Sequence, residues 1–286
     1  MGIIKSSALT LLAAAARESG YIVLFLPDGD RYRKNGHYIE PCTIHHGMFN
    51  LPVLAKEMCE QLLEVHGEQL DSLGLCATSE HSLSYLGNEL KLLSNSKKLT
   101  DLLRLGVSDV ENASGCYSCV VATLMEQTEA PFVVFMDEYN TYFEKGEYFH
   151  EAYDSDVVHP IPVEKISFFQ PFLSIGSKNK SGSVDMMKRG GIVAAITYNR
   201  SVAKWATEGL INRVSQETDV FVVDVPRYSK LEVEHVLANY ECTGVGKLRF
   251  DNGKTVSDDQ EVEFLRMMSG AVGTRLLDAT IWSMYA

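Results

Sequence analysis

Apolar residues along this chain fall into two patterns. Residues 5–19, KSSALTLLAAAARES, are apolar on nearly every side of a helix and stop at Gly20, a good helix C-cap residue. That all-round pattern predicts a buried helix. The next six, YIVLFL (21–26), form an unbroken apolar run with a β-branched and aromatic bias. This predicts a strand buried on both faces, as in a parallel sheet. Pro27-Asp28-Gly29-Asp30 breaks the run, and residues 30–48 read as an exposed, irregular loop. Helical spacing returns over 51–65. Residues 66–107 are Leu-rich and polar by turns, predicting one or two helices with loops, and 109–128 predict another helix. Phe132 to Met136 is a second buried-strand run. The aromatic and acidic stretch 139–162 predicts a long loop, 163–175 a helix and 174–183 a polar, flexible connection. GGIVAAITYNR (190–200) predicts a third strand, 201–214 a helix, and DVFVVDVP (219–226) a fourth strand closed by Pro226.

Beyond residue 226 the strand pattern ends. YSKLEVEHVLANYE (228–241) is amphipathic, with Ser229 as its N-cap, and 258–270 and 273–285 predict two more helices. The expected fold class is therefore α/β, with a parallel sheet flanked by helices. The expected division is an α/β domain over 1–226 and a small all-helical domain over 227–286.

The formal net charge of −12 argues against free, non-specific DNA or RNA binding, which needs an excess of Lys and Arg. It still permits a place in a ribonucleoprotein held by protein contacts. No apolar run reaches the ~18 residues needed to span a membrane. Six cysteines over 286 residues are not a disulfide scaffold. Cys116 and Cys119 form a lone CxxC, and a zinc site needs two further ligands. The other cluster, Cys42-Thr-Ile-His45-His46, is remote in sequence, so the pair reads first as core residues on one helix face. At the start, MGIIKS fits an N-myristoylation pattern, and the following stretch fits a secretory or mitochondrial leader. A helix feeding straight into a buried strand speaks against removal, because cleavage would strip the sheet of a covering helix.

Candidate chemistry collects at strand ends, where open α/β sheets bind ligands. An apolar strand ending in Asp137-Glu138 matches the Walker B pattern. There the Asp helps hold Mg²⁺, and in hydrolytic members the Glu polarises the attacking water. Asn199, at the end of the third strand, stands where such proteins sense the γ-phosphate. Arg275, in SGAVGTR, stands where a lid arginine reaches back to the nucleotide. The phosphate-loop pattern is GxxxxGK[ST], and Lys5 and Ser6 occupy its last two positions. Ile4 occupies the last Gly position, and no strand precedes the loop. Either phosphate binding is lost, or the strand and glycines lie upstream of Met1. The second is expected, because a sheet without that strand would expose a core edge.

Taken in order, KSSALTLLAAAARESGYIVLFLPDGDRYRKN, PFVVFMDEYNTYF, MKRGGIVAAITYNRS, VPRYSKLEVEHVLANYE and SGAVGTRLLDAT resemble successive parts of one family. It is the mitochondrial small-subunit ribosomal protein family also called death-associated protein three. The resemblance covers 5–40 and 131–286 best, and 66–120 poorly. It implies a P-loop NTPase-like, AAA+-related α/β domain with a helical lid. It implies a mitochondrial matrix protein of the ribosomal small-subunit head, whose partners are small-subunit proteins and rRNA. It also implies GTP or GDP bound with Mg²⁺ and little or no turnover. By position, Lys5, Ser6, Ser7, Asp137, Asn199 and Arg275 would be nucleotide contacts, Ser6 and Asp137 the Mg²⁺ contacts, and Glu138 the catalytic base if hydrolysis occurs.

Two other readings stand beside this one. Asp137-Glu138 would equally suit an active AAA+-like ATPase or GTPase outside the ribosome, and Cys116/Cys119 a metal or redox protein. No Asn-Lys-x-Asp element is present, so guanine preference rests on the resemblance alone. Tyr139, Tyr142, Phe143, Tyr148 and Phe149 make the 139–150 stretch aromatic, suited either to a partner surface or to the chain's own core.

Overall fold

A computed structural model describes residues 2–34, 38–42, 46–75, 98–143, 145–151, 158–173, 187–196, 204–214, 220–224, 228–243, 262–263 and 265–267. Its centre is a three-stranded parallel sheet of β1 (Ile22–Leu26), β4 (Phe132–Met136) and β7 (Gly190–Ala194), in the order β1-β4-β7. Phe132 stands opposite Ile22 on one side and Gly190 on the other. The middle strand is β4, and all five of its residues are buried, as its unbroken apolar run requires.

One face of the sheet carries the main core. Helices α3 (Pro52–Asp71), α4 (Leu99–Ser108) and α5 (Val110–Glu126) pack together there. They cover Ile22, Leu24, Leu26, Phe132, Val134 and Met136. The other face is covered by α1 (Gly2–Glu18), through Leu9 and Ala13 against Val133, Phe135 and Ala195. Helix α1 is thus not buried all round as its composition predicts: Leu11 and Leu12 are 71% and 54% exposed. For the same reason β1 is only half-covered on that face, at Val23 and Phe25. Gly20 ends α1 as predicted, at φ +83°, with Gly20 N–H donating to Arg17 O and Tyr21 N–H to Ala16 O. That is a Schellman pair.

Several loop predictions give way to structure. The 30–48 stretch contains α2 (Gly29–Lys34), and β2 (Glu40–Pro41) pairs with β3 (Phe49–Asn50). Within 139–162 lie a 3₁₀ turn (Tyr139–Phe143) and an antiparallel hairpin of β5 (Lys145–Glu151) with β6 (Val158–Pro162). The helix expected over 163–175 is two short 3₁₀ turns. Residues 220–224 have no strand pairing, and Phe221, Val222 and Val223 are 90%, 58% and 67% exposed. An apolar run becomes a strand only where a neighbouring strand accepts its backbone, and none does so among the described residues.

Helices α6 (Lys204–Val214) and α7 (Lys230–Thr243) follow. Ser229 caps α7 as expected: Glu232 N–H donates to Ser229 Oγ at 3.3 Å, and Ser229 N–H to Glu232 Oε2 at 2.7 Å. This is a capping box. Val233 and Leu237 of α7 pack with Val262 and Leu265 in a small cluster of their own. The linker 174–183 and the final helix over 273–285 lie outside the described residues.

Candidate functional site

The parallel sheet brings three strand ends to one side, and α1 begins over them. Ser6 Oγ donates to Asp137 Oδ2, and Lys5 Nζ donates to the carbonyl of Ile196, just past β7. Asp137 continues the ladder, with its N–H on Leu26 O at 2.9 Å, and is only 7% exposed. Its other carboxylate oxygen accepts Glu138 N–H at 2.8 Å. Tyr139 N–H donates to Ala195 O at 2.8 Å, tying the turn after β4 to the end of β7. A lysine, a serine and a buried carboxylate, all predicted from sequence, therefore meet at the start of one helix. Ser7, the next residue on α1, is exposed. Asn199 and Arg275 lie outside the described residues.

Burial pulls the Lys5 ammonium pKa down, while the charges of Asp137 and Asp224 oppose that shift. Asp224 was not singled out in the sequence. Its signal in the sequence is an acidic residue closing the apolar run DVFVVDVP. Glu138 is shifted the other way. Burial raises its pKa, the hydrogen bond from Asp30 N–H opposes the rise, and the neighbouring Asp28, Asp137 and Asp30 add to it.

Chemically, a hydroxyl beside a carboxylate is a hard-oxygen pair of the kind Mg²⁺ takes, and a lysine at a helix N-terminus suits a phosphate. These residues fit the Mg²⁺–phosphate end of a nucleotide; Ile4, where the loop pattern has Gly, does not match. A cleft of about 680 Å³ lies at the opposite, amino-terminal ends of β4 and β7, lined by Ser19, Gly20, Tyr21, Pro131 and Arg189 among others. None of Lys5, Ser6, Ser7, Asp137 and Glu138 lines it, and its Arg189 Nη1 donates to Thr128 O and Glu129 O at 2.9 Å each.

Cys116 and Cys119 are fully buried in α5, on the core face. Burial pushes the Cys116 thiol up to about 12, which disfavours the thiolate that metal binding and redox chemistry need. No group of three metal-ligating residues occurs among the described residues. Tyr139, Tyr142 and Tyr148 are buried, so these three belong to the chain's own core.

The fold and this cluster define an α/β protein with a polar site at the carboxyl ends of a parallel sheet. A family model narrows that class. The model of the mitochondrial ribosomal death-associated protein 3 family matches residues 2–266, and the chain belongs to that family. It is a mitochondrial ribosomal protein, located at the mitochondrial ribosome and associated with it. No curated protein matches the chain.

Proposed function

We propose that this chain is a structural protein of the mitoribosomal small subunit, in its head region, with a guanine-nucleotide site that turns over slowly or not at all. Family membership supports the ribosomal role. The observation that carries the nucleotide site is the convergence of Lys5, Ser6 and Asp137 at the start of α1. In this reading Lys5 holds phosphate, Ser6 and Asp137 hold Mg²⁺, and Ser7, Asn199 and Arg275 complete the nucleotide contacts. GTP or GDP with Mg²⁺ would supply the charge that Lys5 and the helix N-terminus neutralise. Domain 1–226 is the P-loop NTPase-like, AAA+-related unit, and 227–286 is its helical lid; the separate apolar cluster around Val233 and Leu237 is consistent with a lid. Neighbouring small-subunit proteins, rather than rRNA, supply most contacts, as a net charge of −12 favours.

The test is equilibrium binding of labelled GTP and ATP to the full chain, with and without Mg²⁺. The expected result is Mg²⁺-dependent binding of GTP that weakens at least tenfold in Lys5→Ala and in Asp137→Asn. Binding indifferent to both substitutions, or no binding of either nucleotide, would overturn the nucleotide site and leave the ribosomal role.

A further inference from the structure

Glu138 is the residue that the Walker B pattern would make the hydrolytic base, and its geometry gives it another task. It is the one non-glycine residue at positive φ among the described residues, at +53°. An L-residue in the left-handed region is held there by its surroundings. Here the surroundings are visible on each side. Glu138 N–H donates to Asp137 Oδ1, and its carbonyl accepts Thr141 N–H at 2.8 Å and Thr141 Oγ1 at 2.7 Å. Tyr139 is fastened to Ala195, and Asn140 Nδ2 donates to Thr207 Oγ1 of α6 at 2.7 Å. From this locked backbone the Glu138 side chain turns to the neighbouring strand end, where Oε2 accepts Asp30 N–H at 3.0 Å.

That amide belongs to the first turn of α2, whose N–H groups have no partner within the helix. Asp28 satisfies one of them, with its Oδ1 accepting Arg31 N–H at 2.8 Å. Glu138 satisfies the next from outside the helix. The two elements also meet closely. A Cβ on Gly29 would lie 2.5 Å from Thr141 Oγ1 and 3.0 Å from the carbonyls of Asp137 and Glu138. Asp30 in turn holds the buried Arg33 at 2.6 Å. The carboxylate that could act on water is thus committed to a backbone amide, on the α2 side of β4, while Asp137 faces α1.

We infer that Glu138 is a clamp joining the α2 turn to the end of β4, and that holding it there keeps the site from hydrolysing nucleotide. The clamp stands on geometry alone; its effect on hydrolysis rests on the nucleotide site proposed above. It also supplies a cause for the slow turnover, since a base must reach the attacking water and this one is tied elsewhere.

The test is hydrogen exchange of the Asp30 amide in the full chain, run beside GTP hydrolysis, for wild type, Glu138→Gln and Glu138→Ala. Gln keeps an acceptor at the same place, so Asp30 should stay protected. Ala removes it, and Asp30 should exchange on the order of tenfold faster or more, the ratio set by losing a charge-assisted hydrogen bond. Hydrolysis should be equally low in wild type and Glu138→Gln. An Asp30 amide unaffected by Glu138→Ala would overturn the clamp. GTP turnover in wild type that Glu138→Gln abolishes, with Asp30 still protected, would overturn the restraint on hydrolysis and make Glu138 the base. A chain that binds no nucleotide, yet shows the exchange pattern, would refute the nucleotide site and the restraint while leaving the clamp in place.

Discussion

Replacing Gly190 by Ala should strongly destabilise the protein, whereas the same change one residue later should not. Gly190 opens β7 at φ +148°, a region that in practice only glycine occupies. A Cβ there would sit 1.6 Å from the Phe132 carbonyl oxygen and 2.7 Å from its carbon. Both are backbone atoms of the central strand, so no rotamer change relieves the overlap. The dihedral strain costs about 1–3 kcal/mol. Separating the strands also weakens the ladder that begins with Phe132 N–H on Arg189 O at 2.9 Å. Each lost bond there costs about 1 kcal/mol. With two such bonds lost, these give roughly 3–5 kcal/mol, a large part of the ~5–15 kcal/mol that holds a typical domain folded. At Gly191 a Cβ would meet nothing within 4 Å among the described residues. Ala there should be neutral or stabilise the strand by about 0.5 kcal/mol. Urea denaturation followed by far-UV circular dichroism measures both. A Gly190→Ala variant within about 0.5 kcal/mol of wild type would refute the reasoning. So would a Gly191→Ala variant as damaged as Gly190→Ala.

Two further predictions concern buried polar groups. The hydroxyl of Tyr142 is buried with no hydrogen-bond partner among the described residues, whereas that of Tyr139 donates to Phe172 O at 2.9 Å. Tyr142→Phe should therefore be neutral or slightly stabilising and Tyr139→Phe should cost about 1 kcal/mol, an order that chemical denaturation of the two variants checks. His66 is 3% exposed, with Nε2 accepting Val23 N–H at 3.1 Å and Nδ1 paired with Gln69 Oε1 at 2.9 Å. Burial, with a smaller push from Arg17, lowers its pKa below 6.5, against the opposing hydrogen bond to Gln69. The unfolded chain then binds the proton more readily, so this group's contribution is complete above about pH 6.5 and lost as pH falls below it. Thermal melts of wild type and His66→Gln between pH 7.5 and 5.5 should show a steeper loss of stability in wild type; parallel curves would contradict the assignment.

How far the structure could be read beforehand depended on whether a segment's environment is local. Strand β4 was legible because a middle strand covered on both faces must be apolar throughout, and FVVFM is. Helix α1 was legible as a helix but misread as buried, since its alanines fit a half-covered face as well as an enclosed one. Strand β6 (Val158–Pro162) contains Pro160 and Pro162, which hid it inside a predicted loop; a two-stranded ribbon tolerates proline where a central strand does not. DVFVVDVP looked like β4 in composition, yet 220–224 pairs with no strand among the described residues, because pairing depends on a neighbour that composition does not reveal.

The site was legible to the same extent. Lys5, Ser6 and Asp137 stand at pattern positions and do converge. The different employment of Asp137 and Glu138 was not legible. It depends on a left-handed backbone at Glu138 and on the amide of Asp30, more than a hundred residues earlier. His66, closing the outer edge of β1, gave no sequence signal beyond a lone histidine on a helix.

The most direct test of the central claim is sedimentation of a mitochondrial lysate through a gradient, with this chain followed by peptide mass spectrometry. The account predicts that it travels with the small ribosomal subunit and stays there after the subunits separate. Finding it at the top of the gradient as a free protein, or only with the large subunit, would contradict the small-subunit role.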